Sequence, residues 1–245
     1  MKLVSLLNLS PAAAQEQLAT LLVDQCWARF AKWFVPEGYG ATPPEADILG
    51  VVRPVLERCA AALPRPGSLK AVLLPQGERD AFSNFAREQM FGVSGLTAGA
   101  ELIALRVGPE TGWRQALADA AAHEYHHAAW VTLRPDIDRN ADLPLAEVLA
   151  FEGRACVFAR QMTDGWVAPW TLPIDDPEFE YRVRQTVLSG EPFQPSGAPL
   201  WWVYRMGTVW VKAALEQLPD RAVTDWTQLS ARALFGWPVI RIPVK

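Results

Sequence analysis

Residues 123–127 read His-Glu-Tyr-His-His. This is an HExxH pattern with His123, Glu124 and His127 in the three fixed positions. On an α-helix, residues four apart lie on one face, about one turn separated. Two imidazoles so placed can share one tetrahedral zinc ion at about 2.0–2.1 Å each. Glu124 lies about 100° round the helix from His123. It is too close in sequence to ligate comfortably and well placed to reach a water on the metal. Zinc lowers the pKa of such a water toward neutrality, and a carboxylate can take its proton. The pattern predicts metal-assisted hydrolysis, most often of peptide bonds. The chain has three histidines, and all fall within this stretch. A polar run on a solvated helix face is the competing reading, and composition does not explain such clustering.

The surroundings predict a helix. Gly108, Pro109 and Gly112 punctuate the chain before it, and Thr111 is a candidate N-cap. Residues 113–133 contain no Gly or Pro and are rich in alanine, a strong helix former. Small alanines beside the motif also let a second helix approach closely. Pro135 ends the element. His126 could pair with His123 at i, i+3, but that choice discards His127 and the role of Glu124. It reads instead as a neighbouring polar residue. Tyr125 points away from the metal face, so packing is its expected role.

A catalytic zinc site usually has three protein ligands and one water. No histidine remains, so the third ligand is Asp, Glu or Cys. The next helical segment, 145–162, carries Glu147 and Glu152, about 140° apart on a helix. Both cannot face one ion, and spacing alone accepts either. Cys156, four residues after Glu152, is a further thiolate candidate.

Glu152-Gly153-Arg154-Ala155 resembles the EGxA element of gluzincin metallopeptidases, in which the Glu is the third zinc ligand. The whole constellation resembles a family of predicted zinc-dependent proteases with HEY(H/N)H followed by an EGLAE-like segment. Gly92-Val93-Ser94-Gly95-Leu96-Thr97 with 101–107 resembles that family's strands before the motif helix. Tyr204-Arg205-Met206-Gly207 resembles its later Tyr-x-x-Gly segment. The likeness spans roughly residues 70–215, and the short zinc motifs are its most specific part. It implies a zincin-like α+β fold, Zn2+ as cofactor, His123, His127 and Glu152 as ligands, and Glu124 as general base. Two departures stand out. Arg154 replaces the usual Leu, and Cys156 replaces an acidic residue that often follows the Ala. Glu147 is then a candidate to orient a ligand histidine.

The 245 residues allow one large domain or two small ones, with ample core. Half are apolar, an ordinary globular share. No apolar run approaches about 18 residues, so no membrane span is expected. The net charge of −4 and the absence of a Lys/Arg-rich run argue against a nucleic-acid partner. Residues 1–14 faintly resemble a secretory signal, but Ser10-Pro11 reads better as an N-cap and N1 opening a helix to about residue 34. Cys26, Cys59 and Cys156 are odd in number and widely spaced, which predicts free thiols in a reducing compartment. A cytoplasmic location is expected, with export as the alternative.

Residues 45–61 read as a helix that Pro54 kinks or splits. Residues 69–74 read as a buried strand and 101–107 as a second strand with alternation. Residues 171–199 read as mostly loop with a short helix near 179–188, residues 200–218 as an aromatic-rich helix, and 239–244 as a final strand. The expected architecture is a single zincin-like α+β domain over 1–245. It has a helical part at 1–66, a metal-binding core at 67–165 in which a small mixed sheet packs on the HExxH helix, and a mostly helical part at 166–245. The edge strand of such a sheet can receive an extended peptide. Glycines 92, 95 and 99 would permit close backbone approach there, or simply form a hairpin.

An oxyanion needs a donor beyond the metal. Tyr204 and Arg205 are the candidates, against core packing for the first and solvation for the second. Trp201, Trp202 and Trp210 either line an apolar subsite or sit in the core. Asp175, Asp176, Glu178 and Glu180 read as a solvated face. The expected function is zinc-dependent hydrolysis of a peptide or protein substrate. The alternatives are a non-catalytic zincin-fold binding or regulatory module, and a helical protein without metal. Cleavage specificity and oligomeric state are open at this level.

Overall fold

The computed structural model describes residues 1–22, 34–78, 80–137, 143–190 and 198–236. Its sheet has four strands: β1 (Lys2–Ser5), β2 (Lys70–Pro75), β3 (Val93–Thr97) and β4 (Leu102–Val107). Their spatial order is β1-β2-β4-β3. The first three in that order are mutually parallel, and β3 runs antiparallel to β4 with Gly95 opposite Leu105. Among the described residues β3 is therefore an edge.

β2 and β4 are apolar almost throughout because both faces of the sheet are covered. Ala71, Leu73, Ile103, Leu105 and Val107 face helices α2 (Glu45–Ala62) and α4 (Trp113–Leu133). Val72, Leu74, Leu102 and Ala104 face α1 (Pro11–Leu21) and Phe34. The alternation of strand side chains thus feeds two separate cores. Between β2 and β3 lies α3 (Ala81–Gln89), whose N-cap Asp80 accepts from Ser83 N at 2.8 Å.

α4 is buried along nearly its whole length, between the sheet and α5 (Leu145–Met162). α5 packs in turn on α7 (Trp202–Glu216). The periphery consists of a 3-10 turn (Pro169–Thr171), α6 (Pro177–Ser189), α8 (Val223–Gln228) and α9 (Ala231–Phe235). Among the described residues no helix is long and apolar enough to cross a membrane.

Several expectations need adjustment. β1 and α3 are absent from the sequence reading. β1 is only four residues long, and it is held by pairing with β2, a partner far away in sequence. Ser10 caps α1 as expected, but the helix ends at Leu21, where Leu22 is extended. Residues 23–33 of the expected helix, and the expected strand at 239–244, lie outside the described residues. α2 continues through Pro54, because Pro54 and Gly50 are both exposed and the carbonyl that loses its partner faces water. The N-cap of α4 is Gly112, not Thr111. Its φ of 92° is left-handed, and a Cβ there would meet the Phe91 ring at 2.9 Å. α6 begins earlier than expected, at Pro177, with Asp176 accepting from Phe179 N at 2.9 Å.

Candidate metal centre

α4 and α5 bring the motif residues together. His123 and His127 sit one turn apart on α4, with ring centroids 4.5 Å apart and planes nearly perpendicular. Glu152 enters from α5, and its Oε2 lies 3.1 Å from His123 Nε2 and 3.3 Å from His127 Nε2. The three donor atoms lie within 4.8 Å of one another. A tetrahedral ion with bonds of about 2.0–2.1 Å places its ligand atoms about 3.3–3.4 Å apart, so the two measured separations fit zinc. The electrostatics agree. Burial works against the charge on Glu152, yet the two imidazoles hold its carboxyl far below the usual carboxylate range. Two imidazoles and an ionised carboxylate form a donor set for a borderline divalent cation.

The surroundings orient each donor. The Phe151 ring stacks on His127 at 3.7 Å and 12°. Cys156 Sγ lies 3.8 Å from His123 Nδ1, the nitrogen turned away from Glu152. Cys156 therefore stands behind the ring and outside the group of three. Burial pushes its thiol upward in pKa, partly offset by His123. Tyr204, from α7, lies nearly parallel to His123 with centroids 5.8 Å apart. The Glu152 carboxylate, burial and Glu124 raise its pKa well above the ordinary phenol value, so it keeps its proton. Arg205, its neighbour, is half-buried.

Glu124 projects toward β3. Thr97 Oγ1 lies 2.6 Å from Glu124 Oε2 and 3.0 Å from its backbone carbonyl oxygen. A Cβ at Gly95 would lie 2.7 Å from Glu124 Cγ and 2.8 Å from Oε1. Of the three glycines singled out in the sequence, Gly95 is the one whose missing side chain makes room for this carboxylate.

The other candidates are placed elsewhere. Glu147 faces away and accepts from Ala231 N at 2.9 Å, at the start of α9, so it orients neither histidine. The buried Arg154 donates to Leu229 O at 2.6 Å, which accounts for a cation where the resembling family has Leu. His126 stacks on Trp226 at 5.6 Å, with Nε2 3.3 Å from Thr227 Oγ1. Tyr125 donates to Leu63 O at 2.9 Å. Trp202 packs on Phe179, and Trp210 is buried with its Nε1 donating to Glu180 at 3.2 Å. Trp201 alone of the three reaches Tyr204, at 5.4 Å.

Sequence reasoning misses two residues beside the site. Thr97 has no local signal, because its contact with Glu124 spans two elements. Asp119 does have one, being an acid one turn before His123 in an alanine-rich run. It is buried, which lifts its pKa to about 7 against the opposing pull of His123.

A small mixed sheet packed on an HExxH helix, with a glutamate delivered by the following helix, is a zincin-like arrangement. The family described as predicted Zn-dependent protease (DUF2268) matches residues 51–235, and the chain belongs to it. No curated protein matches the chain.

Proposed function

We propose that this protein is a zinc-dependent peptide hydrolase of the gluzincin type. His123 Nε2, His127 Nε2 and Glu152 would hold the metal, and the observation that carries the reading is Glu152 Oε2 lying between the two imidazole nitrogens. When bound, zinc supplies Lewis acidity that acidifies a water and polarises a carbonyl.

The chain's own residues do the rest. Glu124, steadied by Thr97, takes the proton of the attacking water and later delivers it to the leaving amine. The Tyr204 hydroxyl donates to the oxyanion of the tetrahedral intermediate. A peptide or protein is the substrate, and the edge of β3 binds it by backbone pairing. A reducing, cytoplasmic setting agrees with Cys59 and Cys156, both buried and, among the described residues, without a disulfide; Cys26 lies outside those residues.

The deciding measurement is zinc per chain by elemental analysis, in wild type and Glu152→Ala side by side. About one zinc in the wild type and marked loss in the variant are expected. No zinc in the wild type after reconstitution would overturn the proposal and favour the non-catalytic binding module.

A further inference from the structure

Beside the candidate metal centre lies an aromatic step that the chemistry above does not use. Trp201 is the N-cap of α7, and its φ of 62° is left-handed, a conformation bulky L-residues rarely adopt. Such backbone persists only where its surroundings hold it, and it gathers at ligand-contacting positions. Here the holding contacts are aromatic. Ring centroids lie 5.2 Å away for Phe85, 6.2 Å for Trp170 and 5.4 Å, edge-on, for Tyr204. Trp170 is buried behind the step, whereas Trp201 and Phe85 are half-buried and keep surface exposed.

The position is informative. Tyr204 stacks on His123, so Trp201 lies one ring beyond the candidate metal group. Phe85 comes from α3, which leads into the edge strand β3. Gly95 on that strand abuts Glu124. An extended peptide lying along an edge strand sends alternate side chains to opposite sides.

The geometry points to a specificity subsite in which Trp201 and Phe85 receive a bulky apolar side chain, aromatic or large aliphatic, adjacent to the scissile bond. This subsite deepens the peptide-hydrolase reading and rests on it. The neighbouring tryptophans do not share the role, because Trp202 and Trp210 turn into other packing.

The test is cleavage of N-acetylated, C-amidated pentapeptides that vary one central residue (Phe, Leu, Ala, Glu or Lys) within alanine. With zinc-loaded wild type, kcat/KM for Phe or Leu is expected to exceed that for Ala by about tenfold or more. In Trp201→Ala the ratio is expected to fall to about threefold or less, with zinc content retained. Phe85→Ala, which leaves the start of α7 intact, is expected to reduce it in the same direction. A wild type without apolar preference, or a preference that survives in both variants, overturns the subsite. If wild type cleaves none of the peptides, the hydrolase reading loses ground, and calorimetric binding of the Phe and Ala peptides to Glu124→Gln decides the subsite separately. Tighter Phe binding that disappears in Trp201→Ala/Glu124→Gln sustains it, and equal binding overturns it.

Discussion

A Cβ on Gly153 would lie 2.1 Å from the carbonyl oxygen of Gly207, so α5 and α7 touch backbone to backbone. The reverse holds too, since a Cβ on Gly207 would lie 2.3 Å from Leu149 O. This contact sets the distance between the helix carrying Glu152 and the helix carrying Tyr204. Gly153→Ala must push them apart. The expected loss is about 1–3 kcal/mol or more of stability, read from the urea midpoint, together with weaker zinc retention. An unchanged midpoint would show that the helices can separate freely.

Glu124→Gln keeps the shape of the side chain and removes its basicity. Zinc content should stay near that of wild type while hydrolysis falls by about 10²–10⁴. Retained turnover in this variant would sink the proposed mechanism.

Thr97→Val removes the hydroxyl lying 2.6 Å from Glu124 Oε2 and preserves volume. A hydrogen bond to a charged group is worth about 1.5–3 kcal/mol. A fall in kcat of about tenfold or more is expected, with KM and zinc content unchanged. Thr97→Ser should restore kcat, and failure of that rescue would point to packing instead.

Tyr204→Phe leaves the ring against His123 and deletes the donor. If Tyr204 serves the oxyanion, kcat drops by about 10²–10³ with little change in KM or zinc. A change in KM alone would assign Tyr204 to binding.

Asp80 gives a pH prediction away from the metal group. Burial raises its pKa, but hydrogen bonds from Ser83 and Arg106 outweigh that and bring it below the ordinary value. A carboxyl depressed on folding contributes stability above the unfolded pKa of about 3.9 and loses it as pH falls through the folded value. Asp80→Asn leaves the buried Arg106 without its carboxylate, 3.3 Å away. Asp80 is partly exposed, so the expected cost at neutral pH is about 1–2 kcal/mol. The gap between wild type and variant should close as denaturation is followed downward from about pH 4.

Long elements were legible because their signals repeat locally. The bounds of α4 and α5 agree with the sequence reading at both ends, since Gly112 and Pro135 flank the first and Pro144 and Gly165 the second. β2 was legible as a buried apolar run and β4 as a strand, although the alternation expected of β4 gives way to burial at every position because both faces of the sheet are covered. β1 was not, because Lys2–Ser5 is a strand only by pairing with Lys70–Leu73. Nor was α3, nine residues whose start depends on one aspartate cap.

By itself the sequence determined that His123, Glu124 and His127 share a helix with both imidazoles on one face, because helical periodicity converts spacing directly into direction. It did not determine, without the family resemblance, which of Glu147, Glu152 or Cys156 faces those imidazoles. That depends on the rotation of α5 about its own axis. Packing sets that rotation: Gly153 against Gly207 on one side and Phe151 against His127 on another. With α5 so turned, Glu152 meets both histidines, Cys156 stands behind one of them, and Glu147 is left to the start of α9. The partners of Glu124 and Tyr204 come from strands and helices distant in sequence, so only the assembled fold could place Thr97 and Trp201 beside them.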